Sequence, residues 1–134
     1  MGETVPVREG LFTNAPGGEV RLVGGRCTSC GEHHFPRLPT CPSCSSGACE
    51  EILLSDRGSL WVWTAVTAPP PGYRGEVPFG FGVVELPEGL RVITRLTEAV
   101  PSRLVFGQPM RLDVVPLHVD DDGRTVVTYA FTPS

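Results

Sequence analysis

The chain has 134 residues, with 16 Gly and 14 Pro, and carries a formal net charge of −4 at pH 7. A chain of this length supports one modest hydrophobic core with a small additional unit. The negative charge argues against nucleic acid as the main partner, because neutralising phosphates requires clustered cations. The chain contains no Lys, which excludes a Schiff base on the chain, a P-loop lysine and a lysine general base.

Neither a membrane span nor a secretion signal is predicted. No apolar run approaches the roughly 20 residues that a membrane-spanning helix needs. The first ten residues lack a basic segment followed by an apolar one, so no signal peptide is expected. Four of the five cysteines form two Cys-x-x-Cys pairs. This pattern is typical of metal binding in a reducing compartment rather than of a disulfide framework, so we expect a cytoplasmic protein.

Three units are predicted along the chain. Residues 1–18 form an N-terminal extension without sustained periodicity, in which a short helix over Val7–Phe12 is possible and 14–18 form a loop. Residues 19–50 contain the two cysteine pairs and end in a small, polar linker, Ser45–Glu50. Residues 51–134 change to strand-like alternation, which indicates a second unit rich in β-structure.

The cysteine spacing predicts a zinc ribbon. Cys27 and Cys30 are separated by ten residues from Cys41 and Cys44, so two tight turns supply the four tetrahedral thiolates that zinc prefers. Gly31 suits the turn beyond the first pair, which often requires a positive φ. Because four thiolates close the coordination sphere, we expect one structural zinc ion. Iron in a rubredoxin-type site is the alternative.

Three further residues near these pairs are candidate ligands or nucleophiles. His33 and His34 lie between the pairs, but four cysteines leave no vacancy for them, so they are predicted to be surface histidines. Cys49 has no His or acidic motif around it that would activate a nucleophile. We therefore interpret it as a spare thiol beside the linker.

Five strands are predicted after the ribbon, in the order Ser59–Thr67, Phe79–Leu86, Leu90–Leu96, Met110–Pro116 and Thr125–Phe131. A helical turn near Pro101–Leu104 interrupts the longer third connection, and Asp120–Gly123 is predicted as a solvated hairpin tip. The fold class is therefore mostly β, with an N-terminal rubredoxin-like zinc ribbon followed by a five-stranded OB-fold barrel. A five-stranded sandwich would show the same order of strands.

Aromatic residues suggest where this unit contacts other molecules. The Pro/Gly-rich segment Pro69–Pro78 carries Tyr73 and Arg74 at its tip, and such side chains often anchor interfaces; an ordinary flexible loop is the alternative. Trp61 and Trp63 are two residues apart on one predicted strand, so they are expected to share a face. Packing in a core or interface explains such a pair better than base stacking does.

Several motifs resemble one family. Arg26-Cys-x-x-Cys-Gly31, His34-Phe-Pro-Arg37 and Cys41-Pro-x-Cys44 look like the rubredoxin-like zinc ribbon of acyl-CoA-associated OB-fold proteins, long labelled a domain of unknown function. The segments Gly58–Thr64, Val77–Leu86 and Phe106–Leu112 resemble its barrel. The resemblance extends from about residue 19 to the C-terminus.

This resemblance implies a non-catalytic accessory subunit or domain. Such proteins bind and stabilise a thiolase-like enzyme that forms or cleaves carbon–carbon bonds in acyl-CoA thioesters, including retro-aldol cleavage of steroid side chains. They form heteromeric complexes with that enzyme and help to shape its CoA or acyl channel. The absence of an evident Ser/His/acid set agrees with a non-enzymatic role.

Candidate contacts with CoA or the partner are Arg37, Tyr73, Arg74, Phe79 and Arg95. Phe79 stands where the family motif is expected to carry Tyr, which puts any role of that hydroxyl in doubt. The alternative function is a nucleic-acid-binding zinc-ribbon OB module, which would require a basic groove interleaved with aromatic residues.

Overall fold

The computed structural model describes residues 4–8, 10–13 and 20–134, in which two sheets form. A small sheet is built from three strands, β2 (Val23–Cys27), β3 (His33–His34) and β4 (Cys49–Leu53). The large sheet contains β1 (Thr4–Pro6), β5 (Arg57–Val66), β6 (Phe79–Glu85), β7 (Arg91–Leu96), β8 (Pro109–Val119) and β9 (Thr125–Pro133). Among the described residues, no helix has the length and apolar character needed to cross a membrane.

Strands β5 to β9 close into a barrel. The antiparallel pairs are β5 with β6, β6 with β7, β5 with β8 and β8 with β9, and a parallel pair of β7 with β9 completes the ring. All five predicted barrel strands and the predicted turn, a 3-10 turn at Pro101–Arg103, are therefore confirmed. Because every barrel strand has two neighbours, the OB-fold prediction is correct and the sandwich is not.

The N-terminal region differs from its prediction. The helix considered for Val7–Phe12 is wrong in its described part, since Val7 and Arg8 form a bend and Phe12 forms an isolated β-bridge with Leu22. Strand β1, which was not predicted, pairs in parallel with β9 from Thr4 opposite Thr125. The loop predicted at 14–18 lies outside the described residues.

The small sheet also extends further than predicted. Ser45–Glu50 was expected to be a linker, but β4 begins at Cys49 and pairs with β2 in antiparallel register. Backbone pairing therefore continues across the predicted boundary between residues 50 and 51. The sheet ends at Leu53, and Leu54 then donates its N–H to the carbonyl of Leu22.

Leu22 and Leu54 connect the ribbon side of the chain to the barrel. Both side chains are fully buried, and both belong to the cluster that includes Leu60, Val84 and Phe131 of the barrel. Burial of such apolar side chains contributes roughly 1.5–3 kcal/mol each. The shared cluster fixes where the ribbon sits, because a movement of the ribbon would expose these leucines.

Strand β6 places its glycines inward and its aromatic side chains outward. Gly80 and Gly82 are buried. A Cβ on Gly80 would meet the Glu98 carbonyl oxygen and lie 2.9 Å from the Leu96 Cβ. There is no room for a side chain at Gly80 or Gly82. The intervening Phe81 points outward and is 40% exposed, so this strand reverses the usual arrangement of apolar residues.

A β-bulge separates the two tryptophans. The pairing of β5 with β6 shifts between Leu60 and Val62, which leaves Trp61 as the extra residue. As a result Leu60 is buried and Trp63 packs against the core, whereas Trp61 contacts the ring of Phe106 at a centroid distance of 6.1 Å. The prediction that Trp61 and Trp63 share a face is wrong, because one inserted residue changes the alternation.

Candidate metal centre and contact surface

The four predicted metal ligands converge. The Sγ atoms of Cys27, Cys30, Cys41 and Cys44 all lie within 4.8 Å of one another. The distance is 3.5 Å between the sulfurs of Cys27 and Cys44 and 3.6 Å between those of Cys30 and Cys41. A tetrahedron with Zn–S bonds of about 2.3 Å has sulfur–sulfur edges of about 3.8 Å. The arrangement therefore fits one tetrahedral metal ion.

Two turns of the same design present these sulfurs. In each, the residue after the second cysteine has a left-handed backbone, with φ of +79° at Gly31 and +65° at Ser45. The N–H of Gly31 donates to the Cys27 carbonyl, and that of Ser45 donates to the Cys41 carbonyl. The positive φ predicted for Gly31 is confirmed, and Ser45 adopts the same conformation without being glycine.

The four thiols differ in acidity because of the backbone around them. The backbone N–H three residues on lowers the pKa of Cys27 to about 6 and also lowers the pKa of Cys41. At Cys30 and Cys44 a hydrogen bond from a backbone N–H, that of Glu32 and of Ser46 respectively, also lowers the pKa. Burial and the neighbouring sulfurs outweigh this effect, so the pKa of Cys30 rises to about 12 and that of Cys44 is raised as well. Four adjacent thiolates repel one another, and a bound cation offsets that repulsion.

The two histidines lie outside the metal group, but only one of them is as exposed as predicted. His34 is 5% exposed, so its prediction as a surface residue is wrong. Its Nε2 accepts a hydrogen bond of 3.1 Å from the N–H of Leu38, and the ring occupies space that Gly25 leaves open. His34 thus packs inside the ribbon, whereas the neighbouring His33 is partly exposed.

Three of the five candidate contact residues, Tyr73, Phe79 and Arg95, contact one another beside strands β6 and β7. Arg95 donates from Nη1 to the Tyr73 hydroxyl over 2.9 Å, and its guanidinium carbon lies 4.4 Å from the centroid of the Phe79 ring. The Tyr73 and Phe79 rings are 5.1 Å apart. Tyr73 also donates to the Glu76 carbonyl within its own segment. The contacts of Tyr73 with Arg95 and Phe79 attach the segment Pro69–Pro78 to the barrel.

The other two candidate arginines have acidic partners. Arg74 reaches across to the β8–β9 hairpin, where its Nη2 is 3.3 Å from both the Asp121 carboxylate and the Val119 carbonyl. Arg37 lies on the ribbon instead, with its Nε 3.8 Å from the Glu51 carboxylate. Arg74 therefore connects the segment Pro69–Pro78 to the β8–β9 hairpin, whereas Arg37 lies on a different unit.

An exposed apolar face continues from this cluster along the barrel. Val62, Phe81 and Ile93 come from three adjacent strands and are 49%, 40% and 63% exposed. Together with Val83 and neighbouring residues they line an open groove of about 330 Å³. Phe81 lies opposite Arg95 in the β6–β7 register. We call Val62, Phe81, Val83, Ile93 and Arg95 the outer face; of these residues, only Arg95 was predicted from the sequence as a contact residue.

The ribbon and barrel define a zinc-ribbon/OB-fold protein. The family model described as "ChsH2, rubredoxin-like zinc ribbon domain" matches residues 16–50, and that described as "ChsH2, C-terminal OB-fold domain" matches residues 51–115. The chain belongs to this ChsH2 family. Its metal centre is accordingly a zinc site for one ion, formed by Cys27, Cys30, Cys41 and Cys44.

Similar proteins are subunits and scaffold proteins. A "DUF35 domain-containing scaffold protein" of Pyrococcus furiosus is 35% identical over 116 residues, which cover 84% of this chain and 83% of the relative. "Benzoylsuccinyl-CoA thiolase subunit BbsA" of Thauera aromatica is 33% identical over 121 residues, covering 90% and 82%. A solved structure, "Ltp2-ChsH2(DUF35) aldolase", matches with a TM-score of 0.65, 29% identity and 84% coverage of both chains.

Proposed function

We propose that this chain is a non-catalytic accessory subunit or domain of a thiolase-like or aldolase complex acting on acyl-CoA thioesters. Family membership supports this proposal, since relatives bear the names of a scaffold protein and a thiolase subunit. The observation in the molecule that carries the proposal is the outer face. Exposed aromatic and aliphatic side chains beside an arginine are typical of protein interfaces.

The zinc site supports this role through structure rather than chemistry. A zinc ion held by four thiolates has no open position for substrate, so it cross-links the two turns of the ribbon. The Tyr73–Phe79–Arg95 cluster shares Arg95 with the outer face, and together with Arg74 it offers cations and aromatic rings to an anionic ligand. These residues contact the partner or the CoA that both subunits share, and Arg37 adds a contact from the ribbon.

A two-stage experiment tests this function. The tagged chain is purified from its native cells, and proteins recovered in near-equal amount are identified by mass spectrometry. The identified acyl-CoA enzyme is then produced with and without the chain, and its stability and turnover are compared. We expect a thiolase-like protein that is more stable or more active with the chain present.

Two results would contradict the proposal. Turnover of an acyl-CoA by the purified chain alone would make it an enzyme. Tight, salt-sensitive binding to single-stranded nucleic acid, with no acyl-CoA enzyme recovered, would instead favour the nucleic-acid-binding module.

A further inference from the structure

We propose that Cys27 and Cys49 are the site of oxidative disulfide formation in this protein, so that peroxide converts the zinc ribbon into a zinc-free, cross-linked form. Cys27 is a zinc ligand on β2, and Cys49 is the first residue of β4. The two residues lie directly opposite each other in the antiparallel register. Side chains of directly opposed residues project from the same face of a sheet.

The pairing geometry suits a disulfide. The N–H of Thr28 donates to the Ala48 carbonyl, while the N–H of Cys27 turns away to the Glu32 carbonyl. Cys27 and Cys49 therefore form a non-hydrogen-bonded pair, in which opposed Cα atoms are about 4.5 Å apart. That separation lies within the roughly 4.4–6.8 Å that disulfides span.

The remaining cysteines are less firmly placed once zinc is gone. Cys30 and Cys44 lie on turns, and Cys41 directly precedes the second turn. Apart from the cysteine sulfurs, the two turn segments are joined by an exposed hydrogen bond of 3.0 Å between the hydroxyls of Ser29 and Ser46. In contrast, β2 and β4 are joined by five paired positions, from Val23 opposite Leu53 to Cys27 opposite Cys49. Oxidation therefore leaves Cys27 and Cys49 as the pair whose geometry the backbone still holds.

The reaction requires a peroxide as oxidant. The sulfur of one zinc-bound thiolate attacks a peroxide oxygen, the O–O bond breaks, and a sulfenic acid and hydroxide form; the hydroxide takes up a proton to give water. A second thiol then attacks that sulfur, an S–S bond forms, and the hydroxyl group leaves with a proton as a second water. Two thiols thus lose two electrons and two protons, and one H₂O₂ is reduced to two waters.

A disulfide formed first between Cys27 and Cys44, whose sulfurs lie 3.5 Å apart, leads to the same product. The Cys49 sulfur attacks that of Cys27, the bond between Cys27 and Cys44 breaks, and Cys44 leaves as a thiol. The Cys27–Cys49 disulfide removes one of the four thiolates, that of Cys27, from the coordination sphere. The three remaining thiolates hold zinc more weakly, so the ion dissociates to a chelator. The final form retains the β2–β4 ladder and has no metal.

The test uses the full zinc-loaded chain and limited H₂O₂. Zinc release is followed with a chromogenic chelator, free thiols are blocked with N-ethylmaleimide, and the protein is digested with trypsin without reduction. Cleavage after Arg26, Arg37 and Arg57 places Cys27 and Cys30 in one peptide and Cys41, Cys44 and Cys49 in another. Fragmentation of the linked pair by tandem mass spectrometry then identifies the joined cysteines.

We expect the Cys27–Cys49 linkage to exceed every other linkage and to appear as zinc is released. A reductant should restore zinc binding. In Cys49→Ser, which keeps all four ligands, zinc content before oxidation should match the wild type. After H₂O₂, this variant should instead contain linkages among the four ligand cysteines.

Apo wild type oxidised with diamide provides a second measurement that does not depend on the variant. Dominant linkage of Cys27 to Cys44 or of Cys30 to Cys41, with Cys49 modified by maleimide, would overturn the proposal.

Discussion

His34 fills the space beside Gly25, the residue opposite it in the β2–β3 pair. A Cβ on Gly25 would collide with Nε2 of the imidazole and would lie 2.6 Å from its Cε1. The same Nε2 accepts the hydrogen bond from Leu38. A glycine on one strand thus allows a buried ring on the next, and that ring fixes the chain between the two cysteine turns.

Gly25→Ala is expected to destabilise the ribbon by about 1–3 kcal/mol, because the added methyl group displaces His34 and leaves its hydrogen bond unmade. The measurement is the rate of zinc transfer to a chelator, with thermal unfolding as a second readout. Gly47→Ala is the matched control, since a Cβ there meets no atom of the described residues within 4 Å. Equal transfer rates in both variants would show that His34 does not support the metal turns.

The two metal turns should respond in opposite ways to substitution. Gly31→Ala forces a side chain into a left-handed backbone and should cost about 1–2 kcal/mol. Among the described residues, its Cβ would meet the end of the flexible Arg26 side chain alone, at 3.9 Å, so this cost is conformational rather than steric. Ser45→Gly removes a side chain from a residue that already has a left-handed backbone, so this substitution should be neutral or stabilising. Urea unfolding of the zinc-loaded proteins measures both, and destabilisation by Ser45→Gly would contradict the interpretation.

Most barrel strands could be predicted from the sequence, because the alternation of side chains along a strand and the glycines of its turns depend on neighbouring residues alone. The strand from Arg91 to Leu96 alternates buried and exposed side chains, and Gly89 and Gly123 take positive φ at the two hairpin turns. Strand β1 could not be predicted, since three residues show no period and gain their pairing from β9, about 120 positions away. The pairing of Cys49 with Cys27 is likewise a tertiary relationship.

The zinc ligands could be predicted from spacing, but the outer face could not. In Phe79-Gly-Phe-Gly-Val, the expected arrangement buries Phe and exposes Gly. The structure reverses it, because the backbone of Glu98 and Val62 approaches Gly80 and Gly82 too closely for any side chain. Alternating glycines in a strand are a signal of such close approach. Burial of His34 was missed for a related reason, since it depends on Gly25.

Arg95 is expected to matter for binding more than an ordinary surface arginine. Arg95→Gln removes the guanidinium that contacts both Tyr73 and Phe79. We expect about a tenfold or greater loss of affinity for the co-purified acyl-CoA enzyme, as for an interface anchor. Arg111→Gln, at an exposed position on β8, is the control and should bind normally in biolayer interferometry. Equal affinities of the two variants would remove Arg95 from the interface.

Asp120 should make the β8–β9 hairpin sensitive to acid. Its carboxylate accepts hydrogen bonds from the N–H groups of Arg124 and Asp122 and from the Arg124 side chain. The Arg124 backbone N–H is the main cause that lowers the pKa of Asp120. A carboxyl group with a lowered pKa in the folded state stabilises the protein above its unfolded pKa, and this contribution is lost as pH falls through the folded value.

Asp120→Asn should therefore be less stable than the wild type at pH 7, and the difference should shrink as pH falls below about 4. Urea unfolding of both proteins at each pH measures it, and the comparison at equal pH cancels the common effect of zinc release. Asp121→Asn is the control, because its exposed pair with Arg74 contributes little. A difference between Asp120→Asn and the wild type that stays constant down to pH 3 would contradict this role.

Removal of zinc should unfold the metal turns and leave the barrel folded. Zinc binding contributes on the order of 10 kcal/mol to a site of this kind, but the barrel core is apolar and closes around Leu60, Val84 and Phe131. Hydrogen exchange should therefore accelerate in residues 27–48 of the chelated protein, while amides in β6 and β7 remain protected. Cys41→Ser should behave like the chelated wild type, whereas Cys49→Ser should behave like the zinc-loaded one. Loss of protection throughout β6 and β7 on chelation would contradict this prediction and show that the ribbon and barrel fold as one unit. The apolar cluster that Leu22 and Leu54 share with the barrel would then couple the two.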